Sequence, residues 1–267
     1  MYNFALIGHN IGYSKSKEFF ESRGYNYDVF DVENFEQTVK ILVDSGAYKG
    51  FNVTTPYKQK IIKLLKGPVC ERSINTVIIN SDGTLEGVST DGAAFYNTFW
   101  KNAKPFVKKN KMIKRAAILG YGGVVPSLLD RIALINEVSG YGSGKYGTRI
   151  KNIDIFNRTE KNVERHFSYK ERKTLPLDAF VPRNYDLIIN TIPFKAGIDI
   201  QFGTITDPFM YYDLNYADDT LVNKAKGNRF CEVAVNGLEM LYEQAEMSLN
   251  YWLYHDKIKE QQNDDKR

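Results

Sequence analysis

The sequence has few of the residues from which metal sites and disulfide frameworks are built. It contains two cysteines, Cys70 and Cys231, and three histidines, His9, His166 and His255, among 267 residues. The cysteines lack the close spacing of zinc ligands, and the histidines form no cluster along the chain. We therefore expect no bound metal, no disulfide framework and a reduced, cytoplasmic environment.

Long apolar stretches and a strong excess of one charge are also missing. The apolar run Phe4 to Ile7 is too short for the hydrophobic part of a signal peptide, and no later run has the length of a membrane span. The 36 basic residues exceed the 32 acidic ones only slightly, and they are spread along the chain. These features predict a soluble protein that binds neither membranes nor nucleic acid.

The first hundred residues predict an α/β domain. Short apolar strands at Tyr2 to Gly8, Tyr25 to Val32 and Gly50 to Val53 alternate with helical patterns at Lys17 to Ser22 and Phe35 to Ser45. Two further strands, residues 73–79 and 84–88, are separated by a Ser-Asp-Gly turn and predict a hairpin.

A second α/β pattern follows. A strand at Ala116 to Leu119, a helix at Pro126 to Ile135, and strands at Ile153 to Phe156 and Leu187 to Asn190 have the order of a nucleotide-binding βαβ unit. The glycine-rich stretch 139–147 is longer than such connections usually are and predicts a mobile surface insertion.

Three remaining segments are interpreted from composition. The lysine-rich stretch Lys101 to Arg115, which includes Pro105, predicts a solvated connection between domains, although its cations could instead attract an anionic cofactor. Leu238 to Leu253 has the spacing of an amphipathic helix. The polar segment His255 to Arg267 predicts a frayed or disordered tail.

A glycine turn stands between the first strand and the first helix of the second α/β pattern. Gly120, Gly122 and Gly123 follow the strand, and Pro126 is compatible with the first turn of the helix. Glycines in this context let the backbone approach a pyrophosphate at the positive end of the helix. The turn therefore predicts a dinucleotide site.

The next strand of this pattern ends in Asn157-Arg158-Thr159. No acidic residue occupies the strand end, where an NAD-binding fold places the carboxylate that binds the ribose 2′-hydroxyl. Arg158 can instead pair with a 2′-phosphate, and Asn157 and Thr159 can supply further hydrogen bonds. These residues favour NADP over NAD.

Polar side chains of the first domain lie at predicted strand ends. Lys58 follows the strand and proline turn of residues 50–57, where a rigid backbone would present it. Asn75 and Thr76 lie in the next strand, and Ser89, Thr90 and Asp91 follow a third one. An amide, hydroxyls and a carboxylate are the groups that bind a polyol. An ordinary surface salt bridge between Lys58 and Asp91 is the alternative.

Together these motifs resemble the shikimate dehydrogenase family, in order and along nearly the whole chain. The resemblance implies a catalytic pair, Lys58 and Asp91. It implies that Ser14 and Ser16 bind the carboxylate of the substrate. Further implied substrate contacts come from Asn52, Thr54, Asn75, Tyr216 and Gln244. Implied cofactor contacts come from Gly120, Gly122, Gly123, Asn157, Arg158, Thr159, Thr191, Gly237 and Met240.

Five positions depart from the family pattern. Tyr13 stands where the family commonly has histidine, Lys17 where it has proline, Ser89 where it has asparagine, Tyr121 where it has alanine and Ile192 where it has threonine. None is Lys58 or Asp91. Ser89 adjoins the segment that carries Asp91, and Tyr121 lies within the glycine turn, so these two bear on the level of activity.

The resemblance implies a two-domain α/β fold. Residues 1–100 with 238–256 would form the substrate-binding domain, onto which the C-terminal helix packs back, residues 101–237 a Rossmann-type NADP domain, and residues 257–267 a polar tail. The implied reaction is the NADPH-dependent reduction of 3-dehydroshikimate to shikimate by a monomer or homodimer. Alternatives are a quinate/shikimate dehydrogenase that also uses NAD, and a catalytically silent homologue that binds ligand.

Overall fold

The computed structural model describes residues 3–110, 113–138, 150, 152–163 and 170–264. The chain divides into two compact units, Met1–Ala94 with Leu241–Arg267 and Phe95–Met240. Both units are α/β, which confirms the predicted fold class. The predicted insertion at 139–147 lies outside the described residues.

The elements alternate as the sequence predicts. The helices are α1 Ser16–Glu21, α2 Phe35–Ser45, α3 Asp91–Asn110, α4 Val125–Val138, α5 Thr220–Lys226 and α6 Leu238–Asp264. The strands are β1 Asn3–Gly8, β2 Asn26–Asp31, β3 Tyr48–Val53, β4 Thr76–Ile79, β5 Leu85–Val88, β6 Arg115–Leu119, β7 Asn152–Asn157, β8 Asn162–Val163, β9 Arg172–Lys173, β10 Leu175–Pro176, β11 Leu187–Asn190, β12 Phe209–Asp213 and β13 Cys231–Val235.

The first unit contains a five-stranded sheet in the order β2-β1-β3-β4-β5. Strands β1, β2 and β3 are parallel, and β4 and β5 form the predicted antiparallel hairpin, with Gly83 at φ 77° in its turn. One face packs against α2, whose N-terminus is capped by Asn34 and whose C-terminus ends at Gly46 in the left-handed region. The parallel strands bring the ends of β1 and β3 to one edge of the sheet.

The other face of this sheet packs against α1 and α6. Trp252 of α6 is fully buried, stacks on Phe4 with ring centroids 4.3 Å apart, and donates a hydrogen bond from Nε1 to the Val77 carbonyl at 2.8 Å. A Cβ on Gly50 would lie 2.4 Å from the Trp252 indole nitrogen. Glycine at position 50 therefore lets α6 lie directly on the sheet.

The second unit contains a six-stranded parallel sheet in the order β10-β7-β6-β11-β12-β13. Its central strands are apolar on both faces, as parallel sheets covered by helices require. Ala117, Leu119 and Ile188 contribute to a core that also includes Phe209 and Tyr211. The order reverses between β6 and β11, which places the end of β6 at the crevice where α/β sheets bind ligands.

Two predictions about the polar segments were wrong. Lys101 to Asn110 is not a connection but the second half of α3, in which Phe99, Ala103 and Phe106 are buried at helical spacing among the lysines. Residues 255–264 do not form a frayed or disordered tail, because α6 continues to Asp264. His255 is buried beside Glu86. In the described part of the chain, no helix has the length and apolarity to cross a membrane.

Candidate active site and cofactor site

Lys58 and Asp91 form an ion pair within the first unit. Lys58 Nζ donates to Asp91 Oδ2 at 2.7 Å, and the two side chains are 12% and 2% exposed. Lys58 follows β3, and Asp91 is the first residue of α3, where a carboxylate is stabilised by the helix dipole. This burial sets the pair apart from a surface salt bridge, and the ammonium group has further protons with which to meet a ligand.

The amide of Asn75 holds the second oxygen of Asp91. The two protons of its Nδ2 are shared among three acceptors: Asp91 Oδ1 at 3.2 Å, Thr90 Oγ1 at 2.8 Å and Gln244 Oε1 at 2.9 Å. Its Oδ1 accepts from the Thr90 N–H at 2.8 Å and from Thr76 Oγ1 at 3.2 Å. The buried amide of Asn75 thus connects the Lys58–Asp91 ion pair to Gln244 of α6.

A second amide, that of Asn52, is similarly engaged. It accepts from the Tyr27 hydroxyl at 2.8 Å and donates to the Asn75 carbonyl at 2.9 Å and to Ser248 Oγ at 3.0 Å. Ser248 in turn contacts Thr76 Oγ1 at 2.7 Å and donates to the Gln244 carbonyl. Asn52, Asn75 and Gln244 therefore belong to one network, although they are far apart in the sequence.

The sequence had singled out the hydroxyls of Thr76 and Thr90 as groups that bind a polyol, and both belong to this network. Sequence reasoning missed two further members, Tyr27 and Ser248. Ser248 carried a signal, because it lies four residues after Gln244 and therefore on the same face of α6 as that glutamine. Tyr27 carried none, because a tyrosine in a strand is ordinary.

Ser14 and Ser16 lie together before and at the start of α1. The Ser14 hydroxyl donates to Ser16 Oγ at 3.2 Å and accepts from the Ser16 N–H at 3.3 Å. Thr54 follows β3, and a Cβ on Gly8 would lie 2.5 Å from its methyl group, so Gly8 lets Thr54 lie against the end of β1. The serine pair presents neutral hydroxyl donors of the kind that bind a carboxylate.

In the second unit, the predicted glycine turn joins β6 to α4. Gly120 has φ 93°, and a Cβ there would lie 2.6 Å from Thr191 Oγ1. A Cβ on Gly122 would meet nothing within 4 Å. The fold therefore requires glycine at position 120, because of its positive φ and its contact with Thr191. The space beside Gly122 is open at the N-terminal end of α4, where a phosphate binds favourably.

The Asn157-Arg158-Thr159 segment ends β7 beside this turn. Asn157 Oδ1 accepts from the Tyr121 N–H at 3.2 Å, and its Nδ2 donates to the Thr159 carbonyl at 2.8 Å. Arg158 is exposed and lines a cavity of about 610 Å³ whose walls include Leu177, Phe180 and Ile198. The sequence did not single out these apolar walls, which lie beyond the strand end and carry no local pattern.

Two other predicted cofactor residues, Thr191 and Gly237, follow β11 and β13, a third, Met240, lies in α6, and the predicted substrate residue Tyr216 follows β12. Thr191 donates from Oγ1 to the Leu119 carbonyl at 2.9 Å, and Gly237 approaches the backbone of Leu214 so closely that a Cβ would lie 2.1 Å from its carbonyl oxygen. Tyr216 is half-buried, and Met240 is buried in the first turn of α6.

Two buried groups at the end of β12 have altered acidity. Burial raises the pKa of Asp213 above its usual value, although Tyr211, Asn215 and Asn190 all donate hydrogen bonds to it. Burial and then the neighbouring Asp213 carboxylate raise the pKa of the Tyr211 phenol far above its usual range. The tyrosine therefore remains a neutral donor at all ordinary pH values.

These features define the class of protein: an α/β protein with a Rossmann-type unit that carries a glycine turn between its first strand and helix, and another unit that holds a buried lysine–aspartate pair. Within the described residues, no group of three or more histidine, cysteine or acidic side chains is arranged to hold a metal ion.

Comparison with known proteins shows which family the chain resembles. Residues 6–71 match the family model of the shikimate dehydrogenase substrate binding domain. Shikimate dehydrogenase (NADP(+)) of Thioalkalivibrio sulfidiphilus is 28% identical, with 94% of this chain and 93% of the relative covered. The resemblance predicted from the motifs is thereby confirmed.

Solved structures share the fold. A shikimate dehydrogenase from Thermus thermophilus in complex with NADP(H) and shikimate superposes with a TM-score of 0.66 at 22% identity, covering 94% of this chain and 93% of the other. A quinate dehydrogenase from Corynebacterium glutamicum in complex with NAD gives 0.70 at 17% identity, with the same coverage. The fold alone therefore does not separate these two activities.

Proposed function

We propose that this protein is an NADP-dependent oxidoreductase that reversibly reduces 3-dehydroshikimate to shikimate, a step of chorismate and aromatic amino acid biosynthesis. The observation that carries the proposal is the Lys58–Asp91 pair, largely buried and connected by Asn75 to Gln244. The relatives named shikimate dehydrogenase (NADP(+)), which align over 94% of the chain, support the same reaction.

The second unit fits the cofactor. Gly120 and Gly122 open the N-terminal end of α4 to the pyrophosphate, and Arg158 with Thr159 binds the 2′-phosphate. The apolar walls of the adjoining cavity suit a purine ring. Thr191, Gly237 and Met240 are assigned to the nicotinamide end. When bound, NADPH supplies the hydride for the reduction.

The first unit binds the substrate and handles the proton. Ser14 and Ser16 orient the carboxylate without burying a second charge. The Lys58 ammonium stabilises the negative charge that develops on the ketone oxygen and donates a proton to it, so that the oxygen ends as a hydroxyl. Asp91 holds Lys58 in place, and Asn52, Thr54, Asn75 and Gln244 surround the ring hydroxyls.

Two alternatives remain open to experiment. Arg158 directly follows β7, whose end carries no acidic residue, and this favours NADP over the NAD bound in the quinate dehydrogenase structure of similar fold. The retained Lys58–Asp91 pair favours an enzyme over a silent ligand-binding homologue. The partner is then a small polyhydroxylated carboxylate, and we assign the protein to the cytoplasm as a monomer or homodimer.

The test is an initial-rate assay of nicotinamide oxidation. NADPH and NADH are each supplied with 3-dehydroshikimate and, separately, with 3-dehydroquinate. We expect turnover with NADPH and 3-dehydroshikimate to dominate. Comparable rates with NADH and 3-dehydroquinate would favour the quinate dehydrogenase alternative. Binding of NADPH measured by calorimetry, without turnover of either substrate, would identify a silent homologue.

A further inference from the structure

The carboxylate of Asp213 lies buried at the end of β12 and contacts hydrogen-bond donors on both oxygens. Its Oδ1 accepts three N–H groups: Asn190 Nδ2 at 3.2 Å, the Asn215 backbone at 2.9 Å and Asn215 Nδ2 at 2.7 Å. Its Oδ2 accepts the Tyr211 hydroxyl at 2.7 Å. The residue is 1% exposed, and a carboxylate is costly to bury unless hydrogen bonds such as these replace its contacts with water.

The two asparagines extend these contacts into the loop after β11. Asn190 Oδ1 accepts from the Ile192 N–H at 3.1 Å, and Asn215 Nδ2 donates to the Ile192 carbonyl at 2.8 Å. Asn215 Oδ1 accepts from the Phe194 N–H at 3.2 Å. One carboxylate therefore holds the two side chains that set the backbone of residues 192–194.

The same contacts reach two more loops. The Asn215 carbonyl accepts from the Gly237 N–H at 2.9 Å, and the Asn190 carbonyl accepts from the Leu214 N–H at 2.9 Å. Asp213 therefore holds residues next to three positions assigned above. Thr191, at the nicotinamide end, follows Asn190, and Tyr216, at the substrate, follows Asn215. Gly237, also at the nicotinamide end, donates to the Asn215 carbonyl. Arg158, assigned to the 2′-phosphate, takes no part in these contacts.

We propose that Asp213 is a positioning residue whose buried carboxylate aligns the three loops of the nicotinamide half of the cofactor site. This inference rests on the proposed function. Without an acceptor at position 213, four donors lose their partner and the loops shift. A displacement of about 1 Å near reacting atoms can cost about 100-fold in rate.

The test separates the two halves of the cofactor. For Asp213→Ala we expect kcat to fall about 100-fold and the Kd of NADP+ to rise about tenfold. The Kd of 2′,5′-ADP, which lacks the nicotinamide half, should change by less than about twofold. Equal losses for NADP+ and 2′,5′-ADP would indicate general damage to the unit and would overturn the proposal, as would no change in either.

Two further variants keep the test decisive if Asp213→Ala does not fold. Asn215→Ala leaves the Asp213 carboxylate in place but removes the side chain that joins it to Ile192 and Phe194, so it should show the same selective loss of NADP+ over 2′,5′-ADP. Asp213→Asn keeps an acceptor at the Oδ1 position and can donate to the Tyr211 oxygen, so its kcat should stay within about tenfold of the parent. An asparagine variant as damaged as the alanine variant contradicts the geometric role.

Tyr212→Phe is the matched control. Tyr212 is the neighbour of Asp213 on β12, points to the opposite face of the sheet and shares a buried hydrogen bond of 2.8 Å with Thr98 Oγ1. Its loss should lower stability without changing the ratio of the two Kd values. Absence of NADPH turnover in the unaltered protein would instead refute the proposed function, which distinguishes the two failures.

Discussion

The proposed substrate site and the proposed cofactor site of this chain differ in how their residues are held. In the first unit, Asp91, Asn75 and Asn52 are fixed by several side-chain hydrogen bonds each, and Lys58 is held by Asp91. In the second unit, the turn at Gly120 and Gly122 offers open backbone, and Arg158 is exposed.

This difference follows from the two ligands proposed. A ring with several hydroxyls is recognised by directional hydrogen bonds, so the groups that bind it must be held before it arrives. A pyrophosphate and a 2′-phosphate are anions, which a helix N-terminus and an exposed guanidinium bind over a broader range of geometry. Substitution of Lys58 should therefore mainly impair catalysis, and substitution of Gly122 or Arg158 should mainly impair cofactor affinity.

The largest effect expected is that of Lys58→Ala. Removing a proton donor that also stabilises the developing alkoxide should lower kcat by about 100- to 10,000-fold, with a smaller change in KM for the ketone substrate. Steady-state kinetics at saturating NADPH measures both constants. A preserved kcat with a greatly raised KM would place Lys58 in binding alone.

Two glycine substitutions distinguish a glycine that the fold requires, Gly120, from one beside which space is left for the proposed cofactor, Gly122. Gly120→Ala introduces a side chain at φ 93° that approaches Thr191 Oγ1 to 2.6 Å, so it should destabilise folding by about 1 to 3 kcal/mol as well as weaken NADPH binding. Gly122→Ala should leave stability within about 0.5 kcal/mol but still weaken NADPH binding. Denaturant unfolding and calorimetry measure the two quantities, and unchanged NADPH affinity in Gly122→Ala would argue against pyrophosphate binding at this turn.

Arg158→Ala tests the choice of cofactor. Loss of a charge-assisted contact should raise the KM for NADPH by about 10- to 100-fold while the KM for NADH hardly changes. The ratio of kcat/KM for the two cofactors reports the effect. Arg183→Ala, an arginine of the same unit outside the cofactor segments, is the control, and a similar rise with both cofactors would contradict a 2′-phosphate contact.

The smallest effect concerns stability in alkali. Burial, and then a hydrogen bond to Asp28, raises the pKa of Tyr48 from 10.0 to about 12. Because the folded pKa is raised, the stabilisation is complete below pH 10 and is lost as the pH rises toward 12. Tyr48→Phe should flatten the decline of unfolding free energy in this window, which chemical denaturation at several pH values measures. An unchanged slope would show that other groups control it.

Local pattern was sufficient for much of the fold. Apolar strands alternating with helical spacing, the Asp82-Gly83 turn and Gly46 after α2 each act through neighbouring residues, so such elements can be predicted from the sequence alone. Prediction failed where local composition misleads: the lysines of α3 obscured the buried Phe99, Ala103 and Phe106, and the polar end of α6 hid the helix beyond Leu253. Strands β12 and β13 and helix α5 were not predicted.

The sequence by itself determined which chemical groups are present and in what order, because turn glycines, strand ends and family motifs are local features. Tertiary structure alone decided how they are held. Asn52 meets Ser248 across 196 positions of the chain, and Asp213 meets Asn190 across 23. Such partners come together only when sheets and helices pack, since a buried polar group accepts whichever donor the fold brings within about 3 Å.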